Sequence, residues 1–399
     1  MFRPRSGRAV RLAILATVFI AGCGAAPDAA TPSSSPATIP SNAESATASS
    51  AAMPDLGSLV RHGPPDGVWV GMNLDWGTET VADLTARLGH PPAAVVSFAS
   101  VPFDAAAESN LDAAAGQARG ARAILVVTLE PFAGLAAVTD DVASSLAVRL
   151  ARYGAAGTPT LVRFAHEMNG SWYPWGQDPT SYVAAFRRVA RAVHAAAPTA
   201  AMLWAPNEAE GYPYATGKYA AKRGTVANTT LDTNHDGTLD RSDDPYAPYW
   251  PGDDAVDWVG MSLYHWGTAW PWGENEIPAA RKLAALLTGN GSGEAADFYA
   301  RWADGHAKPL AITETAAFFR PSVGGASERQ IKTTWLAQVF DPATLRSFPR
   351  LRLVNWFEWR KFEAEVEDTV DWRITANDEL RDAFVAAAQG PFHFGPALP

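Results

Sequence analysis

The chain has 399 residues, 47% of them hydrophobic and 19% charged, which supplies a large core and excludes whole-chain disorder. Its 32 Lys and Arg against 42 Asp and Glu leave a net charge of −10. That balance argues against a nucleic-acid partner, because polyanions are held by basic, counterion-releasing patches. A single cysteine excludes an internal disulfide framework and any Cys-rich metal site.

Arg3, Arg5, Arg8 and Arg11 precede the apolar run Leu12 to Ala21, about ten residues long, which is the n-region and h-region of a secretory signal and too short to span a bilayer. The following Ile20-Ala21-Gly22-Cys23 resembles the lipobox of bacterial lipoproteins, where cleavage precedes the cysteine and its sulfur receives a diacylglycerol. Residues 1–22 are then a signal peptide, and lipidated Cys23 is the expected link to the membrane, on the outer side of the cell. An ordinary signal peptide cut after Ala25 or Ala26 is the alternative. Loss of the four arginines takes the net charge from −10 to −14. Residues 23–53 are dominated by Ala, Ser, Thr and Pro with no aromatic side chain, so they cannot offset their ordering entropy and read as a flexible tether. The folded region is expected over residues 54–399.

Within it, short β-rich runs alternate with Ala-rich amphipathic stretches, the pattern of parallel βα units. Strands are predicted at Val68–Leu74, Ala94–Phe98, Ala123–Leu129, Thr160–Ala165, Ala201–Ala205, Val256–Leu263, Pro309–Thr313 and Leu351–Phe357. Helices are predicted near Val81–Leu88, Leu111–Arg119, Thr139–Tyr153, Pro179–Ala196, Pro278–Leu287, Glu294–Ala303, Ser327–Phe340 and Asn377–Ala388. Eight such units predict a (β/α)8 TIM barrel, with a large doubly wound sheet as the competing architecture.

Polar and aromatic residues crowd the strand ends: Asn73, Asp75 and Trp76; Glu130; His166 and Glu167; Trp204, Asn207 and Glu208; Tyr264 and His265; Glu314; Trp356, Glu358 and Trp359. In a barrel those ends converge on one face, where active sites lie. Any one of these carboxylates is more often a capped loop or surface group than a catalyst. Together they would be costly unless they line a polar cleft. The most informative string is Arg163-Phe164-Ala165-His166-Glu167-Met168-Asn169-Gly170-Ser171-Trp172-Tyr173-Pro174-Trp175, which sets a carboxyl beside a histidine and follows it with aromatics. Sugar rings combine an apolar face with a rim of hydroxyls, and tryptophans interleaved with carboxylates suit them. The 15 tryptophans of the chain, with Trp266, Trp270 and Trp272 clustered after the sixth strand, fit the same reading, although core packing is the default for each.

Other chemistries lack their signatures. His166-Glu167 opens like a zinc H-E-x-x-H motif, but position 170 is glycine, and no G-x-S-x-G elbow, G-x-G-x-x-G turn or phosphate-cradling loop is present. Between the fifth and sixth strands, Asp232, Asn234, Asp236, Thr238, Asp240 and Asp243 place oxygens at positions 1, 3, 5, 7, 9 and 12 of an EF-hand-like loop, with Gly237 at position 6. Aspartate at position 12 replaces the longer glutamate, which implies weaker, structural calcium binding. The alternative is an Asx-rich surface turn without metal.

The chain here resembles glycoside hydrolase family 26, known for endo-β-1,4-mannanases and also holding mixed-linkage β-glucanases and some xylan-cleaving members. His166-Glu167-Met168-Asn169-Gly170 with Trp172, Ile312-Thr313-Glu314, Tyr264, Trp356, Thr128-Leu129-Glu130-Pro131 and Asp371-Trp372-Arg373 carry the resemblance. It implies a retaining barrel enzyme with Glu167 as general acid/base and Glu314 as nucleophile, their carboxyls about 5 to 5.5 Å apart. It further implies that His166 orients groups near the sugar, that Tyr264 contacts the nucleophile and that Trp172 and Trp356 stack on either side of the cleaved bond. Asn169 and Glu130 join this substrate-binding set. No cofactor is implied for catalysis, and a monomer acting on a β-linked polysaccharide is expected. Mannan or glucomannan leads as substrate on family frequency. Trp172-Tyr173-Pro174-Trp175 and Leu129-Glu130-Pro131 look as similar to the glucanase-like branch, and mannose and glucose differ in the orientation of one hydroxyl. A lipoprotein that binds glycans without cleaving them is the alternative of another class, and the retention of both Glu167 and Glu314 counts against it.

Overall fold

The computed structural model describes residues 55–268, 272–289 and 294–398. The signal segment, Cys23, the tether and Trp270 lie outside the described residues. Eight strands, β1 (Val68–Leu74), β2 (Ala94–Ser100), β3 (Ile124–Glu130), β4 (Thr160–Phe164), β5 (Ala200–Trp204), β6 (Trp258–Ser262), β7 (Leu310–Thr315) and β8 (Leu351–Glu358), pair in parallel in sequence order. β8 returns to β1 with Trp69 opposite Leu353 and Leu74 opposite Glu358, which closes the barrel. All eight predicted strands are present, their ends shifted by up to two residues.

Period-two alternation divides each strand between two apolar clusters. Trp69, Ala94, Val96, Ile124, Val126, Leu161, Ala201, Leu203, Trp258, Ala311 and Leu353 fill the barrel interior. The alternate residues, among them Val70, Met72, Val95, Leu125, Val162, Met202, Ile312 and Val354, pack outward against the helices. Those helices are α1 (Leu56–His62), α2 (Val81–Leu88), α3 (Ala105–Gly120), α4 (Asp140–Ala155), α5 (Pro179–Ala196), α6 (Val226–Leu231), α7 (Lys282–Leu287), α8 (Glu328–Val339), α9 (Pro342–Ser347) and α10 (Asp378–Ala387). Their starts are set by local chemistry. Thr80 and Asp83 form a capping box on α2, Ser327 and Gln330 form one on α8, and Asp178 caps α5 ahead of Pro179.

Several elements differ from expectation. α1 precedes the barrel: Val60 enters the interior cluster and its carbonyl accepts from Trp258 Nε1 at 2.8 Å, so this helix plugs the barrel at the N-terminal ends of its strands. The helix expected over Glu294–Ala303 is split into a 3-10 turn, Glu294–Ala296, and a π-helical turn, Tyr299–Asp304. The helix expected from Pro278 begins only at Lys282, after Arg281 in a left-handed conformation. Between β5 and β6 no full-length helix covers the barrel, since α6 has six residues. An aromatic cluster takes its place: Trp204 lies 5.0 Å from Trp250, 5.2 Å from Trp302 and 5.9 Å from Phe298 between ring centroids. After β8 the chain adds a hairpin, β9 (Arg360–Glu363) against β10 (Asp368–Asp371), and a short β11 (Phe392–His393) pairs with β1. The hairpin is tied to α8 by Lys332, fully buried, whose ammonium bonds Glu328 at 2.6 Å and the Arg373 carbonyl and lies 3.9 Å from Asp371.

Candidate active site

Above the apolar interior the barrel turns polar. Asn73, Thr128, Arg163, Ser262, Thr313 and Asn355 are all buried, at strand positions that alternate with outward-facing core residues. Glu314 joins them through an irregularity in β7. The register runs Met261 opposite Ile312 and then Ser262 opposite Glu314, and toward β8 it jumps from Ile312 to Thr315. Strict alternation would turn position 314 toward the helices; the extra residue lets Thr313 and Glu314 both face the lumen, the re-aiming a bulge performs.

Glu314 is held on both oxygens. Arg163 Nη1 donates to Oε1 in a buried ion pair, and Tyr264 OH donates to Oε2 at 2.6 Å. Arg163 reaches across with Nη2 to the Ser262 hydroxyl at 2.6 Å. A carboxylate accepting a guanidinium and a phenol is stabilised in its charged form. Glu167 is treated differently. It follows the end of β4, where Ala165 and Glu167 have φ of 47° and 54°, a left-handed backbone that costs on the order of 1 kcal/mol or more per residue and concentrates at functional sites. Its Oε2 accepts from Trp172 Nε1 at 2.8 Å. Burial, then the negative charge of Glu314, push its carboxyl above the ordinary range, with Arg163, Ser262 and Trp172 opposing. Glu130, at the tip of β3, is a third carboxyl: burial and then Glu314 push it up to about 7, against Arg163. Glu208, after β5, is likewise raised to about 7, chiefly by burial.

His166 is buried against Phe98, Tyr173 and Trp175 at 5.8, 4.8 and 5.7 Å between ring centroids, and Tyr173 stacks on Trp175 at 4.4 Å. Burial and the Arg163 charge depress its pKa, so the ring is neutral. Its Nε2 lies 3.3 Å from Tyr173 OH. Trp172 keeps 38% of its surface exposed. A Cβ on Gly170 would come within 2.3 Å of that indole, so glycine is what lets Trp172 fold back over its own loop to reach Glu167.

Two expected contacts are corrected. Trp356 is fully buried, its ring packs on Phe384 of α10 at 5.8 Å, and its Nε1 donates to the Trp372 carbonyl. It faces the helices because it alternates with the lumen-facing Asn355, and it offers no surface for stacking. The aromatic residues on the lumen side of this strand end are Phe357, 5.8 Å from Tyr264, and Trp359, stacked on Phe357 at 6.0 Å with its Nε1 3.4 Å from Asn73 Oδ1. Asn169 is also fully buried, and its amide exchanges bonds with the Asn207 backbone, Nδ2 to O at 2.9 Å and Oδ1 from N at 2.8 Å. It braces the β4 loop against the β5 loop rather than meeting a ligand. Trp372, from the Asp371-Trp372-Arg373 segment, packs 5.2 Å from Tyr264 and 4.8 Å from Trp266 and supports the phenol that holds Glu314. Sequence reasoning assigned no role to Arg163 or Ser262; a charged residue inside a short apolar strand was the available signal.

The loop at 232–243 winds around its own oxygens. Asp232 accepts from the Asp236 and Gly237 amides at 3.1 and 2.9 Å, and Asp236 from Thr238 at 2.8 Å. Asn234 accepts from Asp236 at 2.9 Å, Asp240 from Ser242 at 2.8 Å, and Asp243 from Thr233 and Asp240 at 2.7 and 2.9 Å. The Thr238 side chain is exposed beside them. Among the described residues no group of three or more His, Cys, Asp or Glu side chains is gathered as a metal ion requires. The expected calcium shell is therefore not preformed: these carboxylates serve backbone turns, the chemistry Asp and Asn perform without metal.

The closed parallel barrel thus sets a charge-paired carboxylate at the end of β7 and a carboxyl raised above the ordinary range after β4. The family model described as Glycosyl hydrolase family 26 matches residues 130–223, a stretch running from Glu130 through the Glu167 loop into the β5–β6 connection; Glu314 lies beyond it. Over 285 residues, 67% of this chain, the sequence is 25% identical to Endoglucanase H of Acetivibrio thermocellus, and the match spans 25% of that curated relative's length. The structure of GH26C from Muricauda sp. MAR_2010_75 aligns with a TM-score of 0.53 at 15% identity, covering 86% of this chain and 90% of that one. A double mutant of the Cellulomonas fimi endo-beta-1,4-mannanase aligns with a TM-score of 0.51 at 18% identity, covering 85% and 74%. At these identities the structural likeness is one of fold.

Proposed function

We propose that the protein is a retaining hydrolase of β-1,4-linked polysaccharide, with mannan or glucomannan as the leading substrate and internal bonds as its target. One observation carries the reading: Glu314 is paired with Arg163 and Tyr264 while Glu167 is pushed toward its protonated form, so the two carboxyls differ in the way double displacement needs. The Glu314 carboxylate attacks the anomeric carbon as the Glu167 proton passes to the glycosidic oxygen, which leaves as the new chain end. Glu167, now a carboxylate, takes a proton from water, the water oxygen attacks the glycosyl ester, and Glu314 departs with its charge restored. Tyr264 and Arg163 receive that charge again, and the ring face of Trp172 offers a platform beside the acid.

A mixed-linkage β-glucan is the second reading, favoured by the similarity to a relative named Endoglucanase H. Reducing-sugar release on glucomannan, galactomannan, barley mixed-linkage glucan and xylan, beside a Glu314→Ala control, tests both. Cleavage of a polymer that the control leaves intact supports the enzyme and names its substrate. A folded protein that binds but cuts none of them overturns the catalytic reading in favour of a glycan-binding lipoprotein.

We also infer that the mature chain is held at the outer cell surface by a lipid on Cys23. Calcium would bind loop 232–243 weakly, because Asp243 stands at position 12 where a longer glutamate would reach the ion.

A further inference from the structure

We propose that Tyr214, on the β5–β6 connection, is a positioning residue for the proton on Glu167: its ring fixes the Trp172 indole, and the indole N–H fixes the carboxyl. The inference rests on the glycosidase reading for its consequence in turnover but not for its geometry.

The Trp172 indole is held from two sides. Its ring packs over the Gly170 backbone, where a Cβ would stand 2.3 Å away, and it meets the Tyr214 ring edge to face at 5.0 Å, with an interplanar angle of 81°. Edge-to-face pairs are directional, so Tyr214 sets the plane of the indole and the direction in which Nε1 points. Nε1 points at Glu167 Oε2, 2.8 Å away.

Tyr214 is itself over-determined. Its hydroxyl donates to the Glu208 carbonyl and accepts from Asn207 Nδ2 at 3.1 Å. Its carbonyl accepts from Ser171 Oγ at 2.5 Å, which ties it to the residue just before Trp172. Its ring fits against Gly211, where a Cβ would come within 2.6 Å of it. Its backbone lies at φ 53°, a conformation that costs a bulky residue free energy and persists when the surroundings enforce it. The same loop is clamped a second time, by Gln177 Nε2 on the Pro213 carbonyl at 2.6 Å. A residue strained, held by three hydrogen bonds and pressed against the partner of the acid is built to hold that partner in place.

An indole N–H donated to a carboxyl stabilises the charged form, and it acts beside Ser262 and Arg163 against burial and Glu314. Loosening the indole lets the Glu167 pKa rise further. The probe is the 15N resonance of the Trp172 indole in the full chain, assigned by its loss in Trp172→Phe and followed against pH, since its shift reports the ionisation of Glu167. Tyr214→Leu, and separately Gly211→Ala, which displaces the ring without deleting it, should raise the titration midpoint by about half to one pH unit. Tyr214→Phe, which keeps the ring, should restore most of the parent midpoint. The alkaline limb of kcat/KM should move up by the same amount, while kcat falls on polymer more than on an aryl glycoside whose leaving group needs no proton. An unchanged midpoint in folded Tyr214→Leu overturns the proposal, as does a Tyr214→Phe midpoint displaced as far as that of Tyr214→Leu. A parent chain that cleaves nothing overturns the glycosidase reading, and the resonance still decides the role of Tyr214.

Discussion

Arg163 is one guanidinium facing three carboxyls. It bonds Glu314 directly and opposes the rise in pKa of both Glu167 and Glu130. The ion pair goes to Glu314, and the Glu314 charge in turn raises the pKa of the other two. Glu130 therefore has a stability cost with a defined direction. Its folded pKa of about 7 lies above the ordinary value of 4.5. The contribution to stability is complete below the unfolded value and is lost as pH rises through about 7. Glu130→Gln should raise the melting temperature at pH 8, by an amount corresponding to a few kcal/mol at most, with the gain shrinking to nothing near pH 4.5. Paired thermal melts across that range check it, and a variant no more stable than the parent at pH 8 would rule out a buried, strained carboxyl here. At this scale the two principal glutamates and Tyr264 stood among the polar residues that end predicted strands, and the family resemblance singled them out. The sequence could not name Arg163 as their partner, since a side chain on β4 meets one on β7 only when the barrel closes.

The elements show how small irregularities place chemistry. The bulge in β7 brings Glu314 into the lumen beside Thr313, and nothing in Ala311-Ile312-Thr313-Glu314-Thr315 announces it, because a bulge is a property of two neighbouring registers. Strand alternation separates the two residues at the end of β8, where Asn355 faces inward and Trp356 outward, whereas the stacking role expected of Trp356 was carried by the family resemblance. The loop at 232–243 is the opposite case. Its spacing was legible as a turn-rich calcium pattern, and the turns are present, whereas the gathering of carboxylates is not. Calcium at about 10 mM, against the roughly 0.1 to 1 mM affinity typical of extracellular modules, stabilises by about 1.4 to 2.7 kcal/mol. A rise of a few degrees in melting temperature over a chelated sample is therefore the expected outcome, lost in Asp232→Ala. Identical melts with calcium and chelator would leave the loop a metal-free Asx turn.

For the molecule as a whole, the pieces that lie far apart in sequence are the ones that finish the fold. α1 closes one end of the barrel with Val60, Leu398 joins the same interior cluster from the other terminus, and the β9–β10 hairpin is pinned by buried Lys332. None of the described helices is long and apolar enough to cross a membrane; the proposed attachment is the lipid on Cys23. Cys23→Ser should shift the protein from the membrane to the soluble fraction of the cells that make it, and the N-terminal peptide of the parent should carry the added mass of a diacylglycerol. An unmodified N-terminus after Ala25 or Ala26 would refute the anchor. Composition and periodicity by themselves determined the alternation of strands and helices, the barrel and the acidic aromatic strand ends, because these are carried by local residue type and a period of two or 3.6. The tertiary structure alone decided which of those residues meet: Arg163 with Glu314, Trp172 with Glu167 and Tyr214, Trp356 with the core. Apart from the Trp172–Glu167 bond, which is local to the loop after β4, each of these contacts joins segments or faces whose relation exists only once the sheet has closed and its registers are set.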